Sequence, residues 1–154
     1  MRNQKLQDLG IALLRVGVGG VFVAHGIQKL AVFGIGGLAG FLSQIGVPFP
    51  TLSAIAVTAA ELGGGLALVA GFFTRWAALP IAFSMAVAAA TVHLKGGFFL
   101  PNGVEYVLTL FLASVALSLT GSGAISVDRL LEKRAEGEST ESPERTYPQA
   151  VDVR

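Results

Sequence analysis

The chain has 154 residues, 53% of them hydrophobic and 14% charged, with a formal net charge of +1 and no cysteine. Soluble domains carry about 25% charged residues, so the balance excludes an ordinary soluble domain, and the near-neutral charge leaves no footprint for nucleic acid. Without cysteine there is no disulfide, no thiolate-held metal and no thiol relay within the chain.

Charge placement is sharper than charge content. Between Leu9 and Val127 the only charged residues are Arg15, Lys29, Glu61, Arg75, Lys95 and Glu105. This is the pattern of an integral membrane protein with wet ends. Arg2 and Lys5 before an apolar run imitate a signal peptide. The run is too long for one and lacks a small-x-small cleavage site, so it reads as a retained span after a short N-terminal segment, residues 1–9.

Span one covers about residues 10–30. At 100° per residue Arg15, Gly19, Phe22, Gly26 and Lys29 share one stripe, with His25 beside it. Its glycines allow another backbone to come close. In the apolar connection that follows, Leu38, Phe41, Leu42 and Ile45 fall at helical spacing, which predicts a short interfacial helix ended by Pro48 and Pro50. Span two, 52–73, has Thr51 or Ser53 as a cap, and Thr58, Glu61 and Gly65 on one face. A tight turn follows, with Thr74 as the next cap and Trp76 as an interface anchor. Span three, 76–94, contains Pro80 and a narrow face of Ala82, Ala86, Ala89 and His93. Span four, 102–120, turns Glu105, Thr109, Leu112 and Ala116 inward and stops at Gly121. Residues 121–134 read as a short amphipathic surface segment, and 135–154 as a disordered tail rich in Glu, Ser, Thr and Pro.

Four spans put both termini on one side. Arg2, Lys5, Arg75, Arg129, Lys133 and Arg134 gather there, against Lys95 and Lys29 opposite, so the chain is expected to lie N-in and C-in. The expected fold is all-α: an integral-membrane, up-down four-helix bundle over residues 10–120, with the short interfacial helix between spans one and two.

Glu61 lies near the middle of its span. A carboxylate at that depth costs on the order of 3 kcal/mol unless it is paired, wetted or protonated. Side chains lean toward their helix N-terminus, so His25 and Glu61 approach each other and His25 is the expected partner, rather than Arg15. With Lys29, His93 and Glu105 they outline a polar pocket open to the outer side. Plainer roles stand beside this. Glu105 sits three residues after Asn102, as in a capping box. Lys29, Lys95 and Arg15 can snorkel to head groups. The histidines can be satisfied by backbone carbonyls, and Glu61 can be a structural tie between spans one and two. Two histidines on different spans also suggest a bis-imidazole haem, but two lone histidines specify it weakly; haem is not the expected cofactor, and no metal is expected.

A set of strings resembles the DoxX family of small bacterial membrane proteins. In order they are Leu14-Arg15, the six residues from His25 to Leu30, Glu61-Leu62-Gly63-Gly64, the five from Gly71 to Arg75, the seven from His93 to Phe99, Gly103-Val104-Glu105-Tyr106, and the eight from Gly121 to Asp128. The resemblance runs from about Leu9 to Leu131. It implies a four-span protein of the bacterial inner membrane. Some members are subunits of a thiosulfate:quinone oxidoreductase; others are linked to complexes with superoxide dismutase and a sulfurtransferase, or to resistance to quinones and oxidative stress. The family brings no agreed catalytic set.

The resulting expectation is a quinone-linked redox subunit. Glu61, His25 and His93 would exchange protons, while Lys29, Glu105 and Phe22 would hold the ligand. No electron carrier is visible in the sequence, so a redox protein partner is expected, besides the lipid bilayer and a second copy of the chain. Alternatives are a non-catalytic anchor for a soluble redox enzyme and a small proton-coupled carrier.

Overall fold

The computed structural model describes residues 2–140, with side chains described from 3 to 136. Among them the chain is entirely helical. The helices are α1 (Arg2–Gln28), α2 (Gly34–Gln44), α3 (Pro50–Ala70), α4 (Thr74–Ala88), α5 (Glu105–Thr120) and α6 (Val127–Thr140). A π-helical turn, Lys29–Phe33, extends α1, and a second, Ala89–His93, extends α4 into a short 3₁₀ turn. Three helical stretches, Asn3–Gln44, Pro50–Ala70 and Thr74–Gly96, are long and apolar enough to cross a membrane, and α5 is a shorter apolar helix.

α1 and α3 are held together by missing side chains. A Cβ on Gly19 would lie 2.7 Å from the Gly65 carbonyl oxygen, and one on Gly65 would lie 2.8 Å from the Val23 nitrogen. One on Gly26 would lie 2.6 Å from Leu62 Cβ. Small residues let two backbones touch where apolar bulk gives no advantage over lipid. Moving from Gly19 to Gly26 on α1 moves the contact back from Val69 and Gly65 to Leu62 on α3, so the two run antiparallel. Gly19, Phe22 and Gly26 of the α1 stripe are buried as expected, and so are Thr58, Glu61 and Gly65; Arg15, expected to snorkel, is buried with them.

α3 packs next on α4, α4 on α5, and α5 closes weakly on α1. The core between them contains Val18, Phe22, Leu68, Ile81 and Leu117. α2 turns back at Gly34, whose φ of 64° suits glycine, and lays Leu38 and Ala39 against Ala54 of α3.

Several local expectations need correcting. α3 and α4 are not capped by Thr51, Ser53 or Thr74. Each begins after a phenylalanine in the left-handed region, Phe49 and Phe73. Ser53 donates to the Pro48 carbonyl. The buried face of α4 is Thr74, Ala78, Ile81, Ala82 and Met85, with Ala86 exposed. That of α5 is Val107, Leu110, Ser114 and Leu117, while Thr109 and Leu112 face outward. These helices are apolar all round, so periodicity carries no phase. α1 already begins at Arg2, inside the segment expected to precede the first span. α6 continues to Thr140, past the expected boundary at 134; the rest of the predicted tail lies outside the described residues.

The end of the bundle near Arg15 is stitched by polar contacts. Arg15 is 2% exposed and does not snorkel. Its guanidinium donates to the carbonyls of Leu68, at 3.3 Å, and of Ile125. It thereby joins the last turn of α3, whose Leu68 carbonyl also accepts the Gly71 N–H, to the loop before α6. Asp8 accepts the Ala124 N–H at 3.0 Å, and Asp128 accepts the Phe73 N–H at 2.9 Å. Arg15→Lys keeps the charge but cannot span both carbonyls, and is expected to cost about 2 kcal/mol. Amide exchange from Ala124 to Asp128 should then quicken. Unchanged exchange there would mean that the bridge holds nothing.

Candidate functional site: a buried ion pair between α1 and α3

Glu61 is 2% exposed on the face of α3 that meets α1. Its carboxylate accepts a hydrogen bond from the Lys29 ammonium in a direct ion pair. The pair is asymmetric: the Lys29 side chain keeps 17% exposure and that of Glu61 3%. Lys29 opens the π-helical turn that ends α1. Such turns add a residue to the helical register and recur where a side chain must be re-aimed.

The expected partner, His25, does not pair with Glu61. Among the described residues it makes no hydrogen bond, and it is half-buried. The reason is helical phase. Gly26 is the residue that touches Leu62, so its neighbour His25 points 100° away from α3. Lys29 is three residues further on, back near the contact line, with a stem long enough to reach inward.

The other candidates are not gathered around the pair. His93 ends the second π-helical turn and its Nδ1 faces the Asn102 carbonyl at 3.3 Å. Glu105 turns back to accept the Leu100 N–H at 2.8 Å, holding the loop before α5. Phe22, 1% exposed, is part of the core. Among the described residues α1 and α4 share no extensive contact, so His25 and His93 stand on helices that do not face each other. The five-residue polar pocket is thus reduced to one contact, Lys29 with Glu61.

A model of the DoxX family matches residues 10–94. The chain belongs to the DoxX family. Relatives of this DoxX chain include a Bacillus subtilis protein named "Putative oxidoreductase CatD", 34% identical over 82% of the chain and 90% of its own length. Two Escherichia coli relatives are named inner membrane protein YqjF and inner membrane protein YphA. They are 32% and 30% identical over 85% and 84% of this chain, and over 98% and 99% of their own lengths. No solved structure matches. The apolar helices and the relatives' names together make this a membrane protein.

In this DoxX protein an apolar groove is lined by the sequence neighbours of the ion pair, not by Lys29 or Glu61 themselves. Leu30, Ile35, Ile55, Thr58, Ala59 and Leu62 line a space of about 320 Å³ formed by the end of α1, α2 and α3. Leu30 follows Lys29, and Leu62 follows Glu61. Thr58 adds little polarity, because its hydroxyl is spent on the Ala54 carbonyl at 2.7 Å. A donor and an acceptor on the same stretch of α1 and α3 as an apolar groove suit a ligand with a hydrogen-bonding head and an apolar body. Sequence reasoning put Glu61 and Lys29 in one pocket but gave Glu61 His25 as its partner. The antiparallel crossing at Gly26 was the signal that would have paired them.

Proposed function

We propose that this protein is a multi-pass subunit of the bacterial inner membrane, N-in and C-in, with its four apolar helices in an up-down bundle. Its role is quinone-linked redox chemistry at the Lys29–Glu61 pair. The observation that carries the reading is a mutually neutralising acid and base between α1 and α3, each one residue along its helix from a residue that lines an apolar groove. The printed name of the Bacillus subtilis relative, "Putative oxidoreductase CatD", agrees with it. The positive charges at Arg75, Arg129, Lys133 and Arg134 support the orientation.

The residues fit a quinone as ligand. The Lys29 ammonium is a donor for a ring carbonyl and favours negative charge on it. Glu61 is a carboxylate able to take or return a proton once Lys29 turns to the ligand. The groove is apolar enough for a ring or its tail. A quinone supplies two-electron, two-proton chemistry; the electrons come from a partner protein. His25 and His93, half-buried near the C-terminal ends of their helices, exchange protons with water in this reading, away from the pair. A second copy of the chain remains compatible with it.

Purified protein in mild detergent is expected to bind a short-chain quinone, followed by equilibrium dialysis. Glu61→Gln and Lys29→Met should each weaken binding about tenfold, the loss of one charge-assisted hydrogen bond. Equal binding by wild type and both variants, or none by wild type, would remove the quinone role. A non-catalytic anchor would instead keep its redox partner through both substitutions.

A further inference from the structure

The connection between α4 and α5 is built unlike a loop that faces water, and it is independent of the ion pair. The helical stretch Thr74–Gly96 carries Trp76 near its start and Lys95 near its end. At about 1.5 Å per residue these two stand about 29 Å apart, close to the roughly 30 Å of a hydrocarbon core. Both are exposed, as residues at the two head-group levels are. α5 ends level with the start of α4, because a Cβ on Gly121 would lie 2.9 Å from Arg75 Nε. With 16 residues, α5 then rises only about 24 Å and begins, at Glu105, about 5 Å short of the outer head groups.

The segment that makes up this depth, residues 97–104, contains no charge, and Asn102 is its one polar side chain. Its backbone is bonded to itself. The Gly103 N–H donates to the Phe99 carbonyl at 2.9 Å, and that of Val104 to the Gly97 carbonyl at 3.0 Å. Glu105 closes the loop from below. Its N–H donates to the Phe98 carbonyl at 2.9 Å, and its carboxylate accepts the Leu100 N–H at 2.8 Å. Pro101 has no N–H to satisfy. Gly103 is buried, and a Cβ there would lie 2.3 Å from the Phe98 carbonyl oxygen, so only glycine lets the loop close this tightly. Water would satisfy such groups unaided, whereas hydrocarbon offers them no partner. The apolar side chains turn the other way. Phe98, Phe99 and Leu100 are exposed, Phe99 to 75%. They continue the exposed apolar surface of Leu94, on the turn that ends α4, and of Leu108 and Leu112 on α5, the surface that meets lipid.

We infer that residues 97–104 lie within the outer leaflet, with Phe98, Phe99 and Leu100 among the acyl chains and Lys95 at the head groups above them. The partner of this loop is lipid, not a soluble protein docking from the outer side. The inference rests on α5 crossing the bilayer in the N-in orientation proposed above, and it needs no ligand at Lys29 and Glu61. It also gives the acid of α5 a task. Below the head groups, the Glu105 carboxylate supplies the Leu100 N–H with the acceptor that water would supply above them.

The chain has no cysteine, so single cysteines report position in an otherwise native protein. In right-side-out membrane vesicles an impermeant maleimide is expected to label Lys95→Cys from outside. Phe99→Cys should react about tenfold more slowly or less, because lifting Phe98 and Leu100 out of the acyl chains is worth at least one decade of population. Glu105→Ala strands the Leu100 N–H in hydrocarbon and should raise labelling of Phe99→Cys about tenfold, whereas Glu105→Gln, which keeps an acceptor, should leave it slow. Should Phe99→Cys disturb the fold, Phe99→Trp in a Trp76→Phe background keeps an aromatic ring in place. Lipid brominated high on the acyl chain should quench that ring, and aqueous iodide should not. Equal labelling at positions 95 and 99, or quenching by iodide alone, would overturn the inference and leave the loop to a soluble partner. Labelling of Lys95→Cys from the inside alone would overturn the orientation, and the outer-leaflet placement with it.

Discussion

Lys29→Met is expected to destabilise the protein by about 3 kcal/mol or more, because it strands a buried carboxylate without its partner. Glu61→Leu should cost less, about 1–2 kcal/mol, since the freed ammonium can extend toward head groups along its partly exposed path. The double variant should be less destabilised than Lys29→Met alone, because two apolar side chains replace both charges together. Unfolding by sodium dodecyl sulfate in mixed micelles, followed by circular dichroism, closes the cycle. A coupling of about 2–3 kcal/mol is expected for neighbours of this kind. Strict additivity would mean that the two charges do not meet in the membrane, and the proposed quinone site would go with them. The ordering of the single variants is as informative as the coupling. Should Glu61→Leu prove the worse, the lysine would be the confined member, against the exposures of the two side chains.

The second large effect concerns glycines. Gly26→Ala and Gly65→Ala should each cost about 1–3 kcal/mol, the usual penalty for overpacking a filled contact. At Gly26 the new methyl meets Leu62 Cα and N, both at 2.8 Å, and at Gly65 it meets the Gly19 carbonyl oxygen at 2.9 Å. Backbone cannot step aside, so α1 and α3 must separate, and Lys29 and Glu61 with them. Gly17→Ala and Gly20→Ala have open space around the added methyl. They should be neutral or gain up to about 1 kcal/mol from helix propensity. The same denaturation assay compares all four. Similar losses at every position would refute the close crossing, because only two of these glycines lie in it.

The sequence was most legible where physics leaves one answer. Gaps between charges located the apolar helices. The glycine stripe of α1 and the face of Thr58, Glu61 and Gly65 were readable because close packing needs small residues. Glu61 stood out because a lone carboxylate in such a run is costly. What failed was phase in helices without a polar side. The inner faces of α4 and α5 were misjudged, since Leu, Ala, Phe and Val surround both. The partner of Glu61 was misassigned because depth was weighed and rotation was not. Depth brought His25 level with it; the 100° step from Gly26 turns the ring away. Glu105 took neither of its two expected roles: it is the first residue of α5 and accepts the Leu100 N–H, not that of Asn102. The buried state of Arg15 had no local signal at all. Its acceptors are carbonyls of Leu68 and Ile125, and carbonyl positions belong to turns that no side-chain pattern records.

Arg15 carries one more implication. Lys29 and Glu61 cancel each other, so they add nothing to the charge sealed inside the bundle. Arg15 is shielded from water and donates its hydrogen bonds to carbonyl oxygens, with the Asp128 carboxylate offsetting part of its charge and no ion pair among the described residues. In the proposed N-in orientation this fixed cation sits toward the electrically negative side of an energised membrane. Voltage acts on such a charge with some fraction of about 2.3 kcal/mol per 100 mV. Respiration would therefore reinforce the orientation of the folded protein, and collapse of the potential would remove that contribution without altering a single contact.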